Sequence, residues 1–123
     1  MFRAFTITSG KGGVGKTTLT VNLGISLALL NRETCILDAD IGMANMALIL
    51  GMDEVPVTLH EVLAGKADIG DAVYEGPAGV KVVPSGISLQ GFQQADPDKL
   101  RDVMHTLVDQ CEFLLIDAPS GIS

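Results

Sequence analysis

Ser9-Gly10-Lys11-Gly12-Gly13-Val14-Gly15-Lys16-Thr17-Thr18 is the stretch whose reading decides the fold. Gly10, four further residues and then Gly15-Lys16-Thr17 satisfy the phosphate-loop pattern G-x-x-x-x-G-K-[ST] without exception. Each residue type has its own physical reason. Gly10, Gly12, Gly13 and Gly15 let the backbone approach a phosphate with no Cβ in the way. Successive N–H groups can then turn inward as a nest for an anion, so Gly10, Lys11, Gly12, Gly13, Val14, Gly15, Lys16, Thr17 and Thr18 are the expected nucleotide-binding residues. A helix beginning near Lys16 adds its free N–H groups and the positive end of its dipole. Lys16 is the expected charge on the β- and γ-phosphates, and Thr17 the expected magnesium ligand.

The flanks agree with this reading. Residues 2–8 form an apolar, β-prone run, and residues 19–30 form a long apolar run without proline. A strand, the loop and a helix therefore follow one another. A glycine-rich turn with no ligand would not need all eight pattern positions.

Further along, residues 34–39 read as a buried strand ending in acidic residues, and residues 40–45 as a loop. Residues 46–50 read as a helical turn stopped by Gly51. Thr58-Leu59-His60-Glu61 has the form of a capping box, opening a short helix to about Ala64 that closes at Gly65. Asp68 is placed to cap another short helix running through Tyr74. Residues 76–79 are a turn, residues 80–84 a third strand and residues 85–94 irregular. Asp96-Pro97 is a cap followed by proline at the first helical position. Leu100, Val103, Met104, Leu107 and Val108 then fall on one helical face. Residues 112–116 are a fourth buried strand, ended by Asp117. Strands that alternate with helices and read as continuous apolar runs indicate an α/β fold, a parallel sheet with helices on both faces. Ligands in such sheets bind beyond the carboxyl ends of the strands, where the phosphate loop, Asp38, Asp40 and Asp117 should converge.

Length and composition bound the answer. The chain has 123 residues, room for one domain at most. With 47% hydrophobic residues it is not a disordered chain. A net charge of −7 opposes broad binding of nucleic acid or an anionic membrane by this segment. Cys35 and Cys111 are too few for a disulfide scaffold and lie in apolar runs, so buried free thiols and a reducing cytoplasm are expected. Nothing in the first residues reads as a signal peptide, and the most apolar run is too short to span a bilayer. His60 and His105 stand apart from any metal-spaced cluster and read as surface or boundary residues. Met43, Met46 and Met52 read as core packing, and Asn45 as either a helix cap or a water-orienting group.

The early lysine, Lys11, sets this loop apart. Lys11-Gly12-Gly13-Val14-Gly15-Lys16-Thr17-Thr18 closely resembles the deviant Walker A loop of the MinD/ParA family of P-loop ATPases. Asp38-Ala39-Asp40-Ile41-Gly42 resembles the family's switch I, and Asp117-Ala118-Pro119-Ser120-Gly121 its Walker B aspartate and switch II, with Ser120 where alanine or proline is more usual. Residues 38–45, 58–63 and 82–86 look most like the MinD branch, the septum-site-determining ATPases, particularly those of archaeal type. The resemblance implies a SIMIBI-type P-loop fold that binds ATP or ADP with Mg²⁺, dimerises on ATP and hydrolyses it. It further implies that Lys16 acts in cis, that Lys11 reaches the partner's nucleotide, and that Asp40 positions the attacking water. Thr17, Asp40 and Asp117 would then gather about the metal. Placement of the division site in concert with a regulatory protein would be the function. A nucleotide-gated regulator of flagellar number, or a ParA-type partition ATPase, is the alternative. Family members are about twice this length, so the chain reads as the N-terminal portion of one ATPase domain. The residues that hold the base, and the C-terminal amphipathic helix that places such proteins peripherally on the membrane, would lie beyond it.

Overall fold

In the computed structural model the residues described are 3–7, 14–38, 51, 55–86, 91 and 94–117. The sheet has five strands: β1 (Arg3–Ile7), β2 (Thr34–Asp38), β3 (Tyr74–Glu75), β4 (Lys81–Pro84) and β5 (Phe113–Asp117). Their order is β1-β5-β2-β4-β3. β1, β5, β2 and β4 run parallel, and only the two-residue β3 is antiparallel to its neighbour. The helices are α1 (Val14–Leu29), α2 (Leu59–Leu63) and α3 (Pro97–Gln110).

Every residue of β2 is buried. This is the pattern of a strand covered on both faces, and it follows from the unbroken apolar run Cys35-Ile36-Leu37. Alternation divides the core in two. Val21 of α1 packs with Ile36, Val82 and Leu115 on one face. Leu59, Val103 and Leu107, from α2 and α3, pack with Cys35, Leu37, Val83 and Leu114 on the other.

Local chemistry sets the ends of the elements. α1 begins at Val14, so the last residues of the glycine-rich loop already form its first turn, earlier than the start near Lys16 expected from sequence. It ends at Leu29, and Asn31 just beyond it has a left-handed φ of 63°. The Arg32 N–H returns to the Leu27 carbonyl at 3.0 Å, and the Asn31 N–H to that of Ala28 at 3.0 Å. Gly24 lets α1 lie close on β2, since a Cβ there would stand 2.7 Å from Ile36 Cδ1. In α3 the Asp96 carboxylate accepts from the Asp98 N–H at 2.9 Å, and Pro97 occupies the first turn, as the cap-and-proline reading requires.

Two expectations need correction. The segment after Asp68 is not a helix through Tyr74: a 3₁₀ turn spans Ile69–Ala72, and Tyr74–Glu75 is a fifth strand. The turn after it, Pro77–Gly79, places Ala78 at φ 61° and Gly79 at φ 83°, which folds the chain back as a hairpin onto β4. Thr58 precedes α2 as expected, but its side chain does not cap a backbone N–H. Its hydroxyl instead donates to the Glu61 carboxylate at 2.6 Å.

Candidate functional site

β5 carries the site. It lies between β1 and β2, and its register sets Asp117 opposite Ile7 on one side and Asp38 on the other. The last row of the sheet therefore reads Ile7, Asp117, Asp38 and Pro84. Strand alternation puts Asp117 on the same face as Leu115 and Asp38 on the same face as Ile36, which is the face covered by α1. Two carboxylates thus stand side by side at the carboxyl edge of a parallel sheet, Asp117 1% and Asp38 2% exposed. Both have interaction partners in the structure. The chain leaving Ile7 in the same row returns as α1 at Val14.

The structure places Val14, Gly15, Lys16, Thr17 and Thr18 at the start of α1, where the N–H groups of the first residues have no partner within the helix. Gly10, Lys11, Gly12, Gly13 and Asp40 lie outside the described residues, as do Asn45, Met43, Met46 and Met52. Of the sequence-derived candidates, then, the fold brings Asp117 and Asp38 together at the edge from which β1 leads into the loop. His60 and His105 are exposed, consistent with surface residues. Among the described residues no group of three or more His, Cys, Asp or Glu side chains is placed to hold a metal ion.

Backbone bonds fix this edge to the opposite helical layer. The Ser85 N–H donates to the Asp38 carbonyl at 3.0 Å, and the Ser85 carbonyl accepts from the His60 N–H at 2.9 Å. Ser85 is fully buried. Its role was hidden in a stretch that sequence reading leaves irregular. The signal was Pro84-Ser85-Gly86 at a strand end, with Gly86 at φ 63°. A second tie holds residue 57: the Tyr74 hydroxyl donates to the Val57 carbonyl at 2.8 Å and accepts from the Val57 N–H at 3.0 Å.

The donor chemistry fits a nucleotide with a divalent cation. A hard cation takes carboxylate and hydroxyl oxygens, directly or through water, and an anion takes the N–H groups at a helix start. Asp117, with Asp38 beside it, offers the first kind of group, and the first turn of α1 offers the second.

Known proteins share both the sequence and the fold. Residues 5–118 match the CobQ/CobB/MinD/ParA nucleotide binding domain. An uncharacterized ATP-binding protein of Methanocaldococcus jannaschii is 55% identical over 97% of this chain and 45% of its own length. The antiactivator FleN of Pseudomonas aeruginosa is 37% identical over 94% of this chain and 42% of its own. The septum site-determining protein MinD of Pyrococcus horikoshii, solved as a complex with Mg-ADP, superposes with a TM-score of 0.79 at 43% identity. That superposition covers 100% of this chain and 51% of that one, so the chain spans about half the length of the proteins it matches. A family match over nearly all of its residues, on a mostly parallel sheet shared with that solved structure, makes this chain a member of the CobQ/CobB/MinD/ParA nucleotide-binding family.

Proposed function

We propose that the chain is the N-terminal portion of a MinD-like ATPase domain that binds ATP with Mg²⁺, dimerises around it and hydrolyses it. The observation that carries this reading is the register of Asp117 between Ile7 and Asp38, on the face covered by α1. It supports an assignment in which residues 10–18 cradle the phosphates and Lys16 neutralises their charge in cis. Thr17, Asp40 and Asp117 hold the metal, and Asp40 also orients the attacking water. Lys11 reaches the nucleotide of the partner protomer. Bound magnesium supplies charge neutralisation on the β- and γ-phosphate oxygens. The chain's own contribution is positional: a backbone cradle, two ammonium groups and carboxylates from neighbouring strand ends stabilise the developing charge. Hydrolysis then switches the dimer off, releasing a regulatory protein or the inner face of the membrane. The likeness to septum site-determining MinD supports placement of the division site as the process.

The antiactivator FleN, at 37% identity, supports a second reading: a nucleotide-gated regulator of flagellar number. One experiment separates a hydrolase from a pure binding module. Phosphate release is measured on the full-length protein, wild type against Asp40→Ala and Asp117→Asn. Loss of turnover of tenfold or more, with nucleotide still bound by Asp40→Ala, is the expected result. Equal rates in all three proteins would reject the catalytic assignment. Lys11→Ala is expected to abolish ATP-dependent dimerisation in sedimentation while the monomer still binds nucleotide.

A further inference from the structure

The layer of α2 and α3, on the face of the sheet away from α1, holds a cavity of about 270 Å³. It opens between the end of α2, the 3₁₀ turn Ile69–Ala72 and the first turns of α3. Its floor is aliphatic. Val62, Ile69 and Val103 line it, and all three pack into the core beneath the helices. Among the described residues no aromatic ring lines it. The volume is that of the smallest ligand cavities, which suits a small metabolite.

The rim is charged, and its charges are not matched to one another. Lys99 and Asp102 both stand on α3, three residues apart. Asp98 and Arg101, at the same spacing on the same helix, form an ion pair. Acid before base is the favoured order along a helix, and Lys99 with Asp102 has the reverse order. Neither the Lys99 ammonium nor the Asp102 carboxylate has a hydrogen-bond or ion-pair partner among the described residues. The Lys99 side chain reaches towards the other wall: its Nζ comes within 3.9 Å of the place a Gly65 Cβ would take, just past the end of α2. Thr106, one turn on from Asp102, donates its hydroxyl proton to the Asp102 carbonyl at 3.1 Å and leaves the carboxylate unmet. Asp68 adds a second negative charge to the rim, where its N–H donates to the Asp71 carboxylate at 3.3 Å.

A free ammonium and a free carboxylate over an aliphatic floor are complementary to a molecule that carries both charges and an aliphatic body. A cation alone would leave Lys99 opposed, and an anion alone would face Asp68 and Asp102. We propose that this cavity binds an α-amino acid with a branched aliphatic side chain. Its carboxylate meets Lys99, its ammonium meets Asp102, and its side chain lies on Val62, Ile69 and Val103. The two charge-assisted hydrogen bonds fix its orientation, and the aliphatic contact removes apolar surface from water. The cavity lies on the face opposite Asp38 and Asp117, so the inference does not depend on the nucleotide reading.

The test titrates the full-length protein with L-leucine in a calorimeter, beside analogues that each lack one feature. Leucinamide lacks the carboxylate, isocaproate lacks the ammonium, and glycine lacks the side chain. Leucine should bind saturably, and each analogue should bind about tenfold more weakly or worse, the loss of one charge-assisted bond or of the aliphatic contact. Lys99→Met should erase the advantage of leucine over leucinamide, and Asp102→Asn its advantage over isocaproate. Both replaced side chains are exposed, so the fold should persist, as circular dichroism checks. Ala67→Leu, which fills the cavity and keeps both charges, should weaken leucine by a similar factor. Absence of saturable heat with millimolar leucine would overturn the proposal. So would equal leucine affinity in wild type, Lys99→Met and Asp102→Asn, or leucinamide binding as tightly as leucine to the wild type.

Discussion

Gly86 and Thr58 meet so closely that a Cβ at Gly86 would stand 2.5 Å from the Thr58 hydroxyl oxygen and 3.0 Å from its Cβ. Gly86 also holds a left-handed φ of 63°, which a side chain disfavours. Gly86→Ala therefore combines backbone strain with overpacking and should cost about 2–4 kcal/mol in urea unfolding. An unchanged unfolding midpoint would show that the contact yields freely. The same threonine sets a titration. Its hydroxyl bond holds the Glu61 carboxyl below its ordinary value of 4.5, helped by the backbone N–H groups of Glu61 and Thr58. A carboxyl depressed on folding stabilises the protein at pH above its unfolded value, and that contribution is lost as pH falls through the lower folded value. Thr58→Val should move the Glu61 titration upward, as read by carboxyl carbon NMR, and flatten the acid limb of stability below about pH 4.5. The catalytic candidates are unequally legible at this scale. Asp117 could be read as the end of an apolar strand. Its pairing with Asp38 could not, because sequence spacing says nothing about which strand becomes a neighbour.

α3 shows what local sequence can specify. Asp96 accepts from the Asp98 N–H, Pro97 needs no donor in the first turn, and Val103 and Leu107 are buried on the face the spacing predicts. Asp96→Ala should lower stability by about 1 kcal/mol, measured by thermal or urea unfolding, and leave nucleotide binding unchanged. β2 and β5 were equally plain, since unbroken apolar runs bounded by acids have few other uses. β3 was not: two residues carry no periodicity, and Tyr74–Glu75 becomes a strand only because the left-handed Ala78 and Gly79 fold it onto β4. The altered role of Thr58 has a similar cause. Thr58 and Glu61 fit the capping pattern, yet the two side chains bond to each other and the threonine does not reach the backbone.

Across the whole molecule, β1 pairs with β5 on one side and has no other strand neighbour among the described residues. Phe5 of that strand is 46% exposed and stacks on Phe113, while Leu19, Leu23, Leu29 and Leu30 of the helical segment after it are also exposed. An open, apolar strand edge recruits further strands. The 123-residue chain alone should therefore associate with rising concentration in size-exclusion chromatography, while a longer protein that supplies a covering segment should not. A sharp monomer peak at all concentrations would refute this. The position of β5 has a consequence for biosynthesis. Among the described residues β1 and β2 are joined in the sheet by a strand encoded some 75 residues after β2, so a nascent chain halted before Phe113 lacks the strand that pairs with both. On the ribosome, the sheet waits for its keystone, and chaperones have that interval in which to bind.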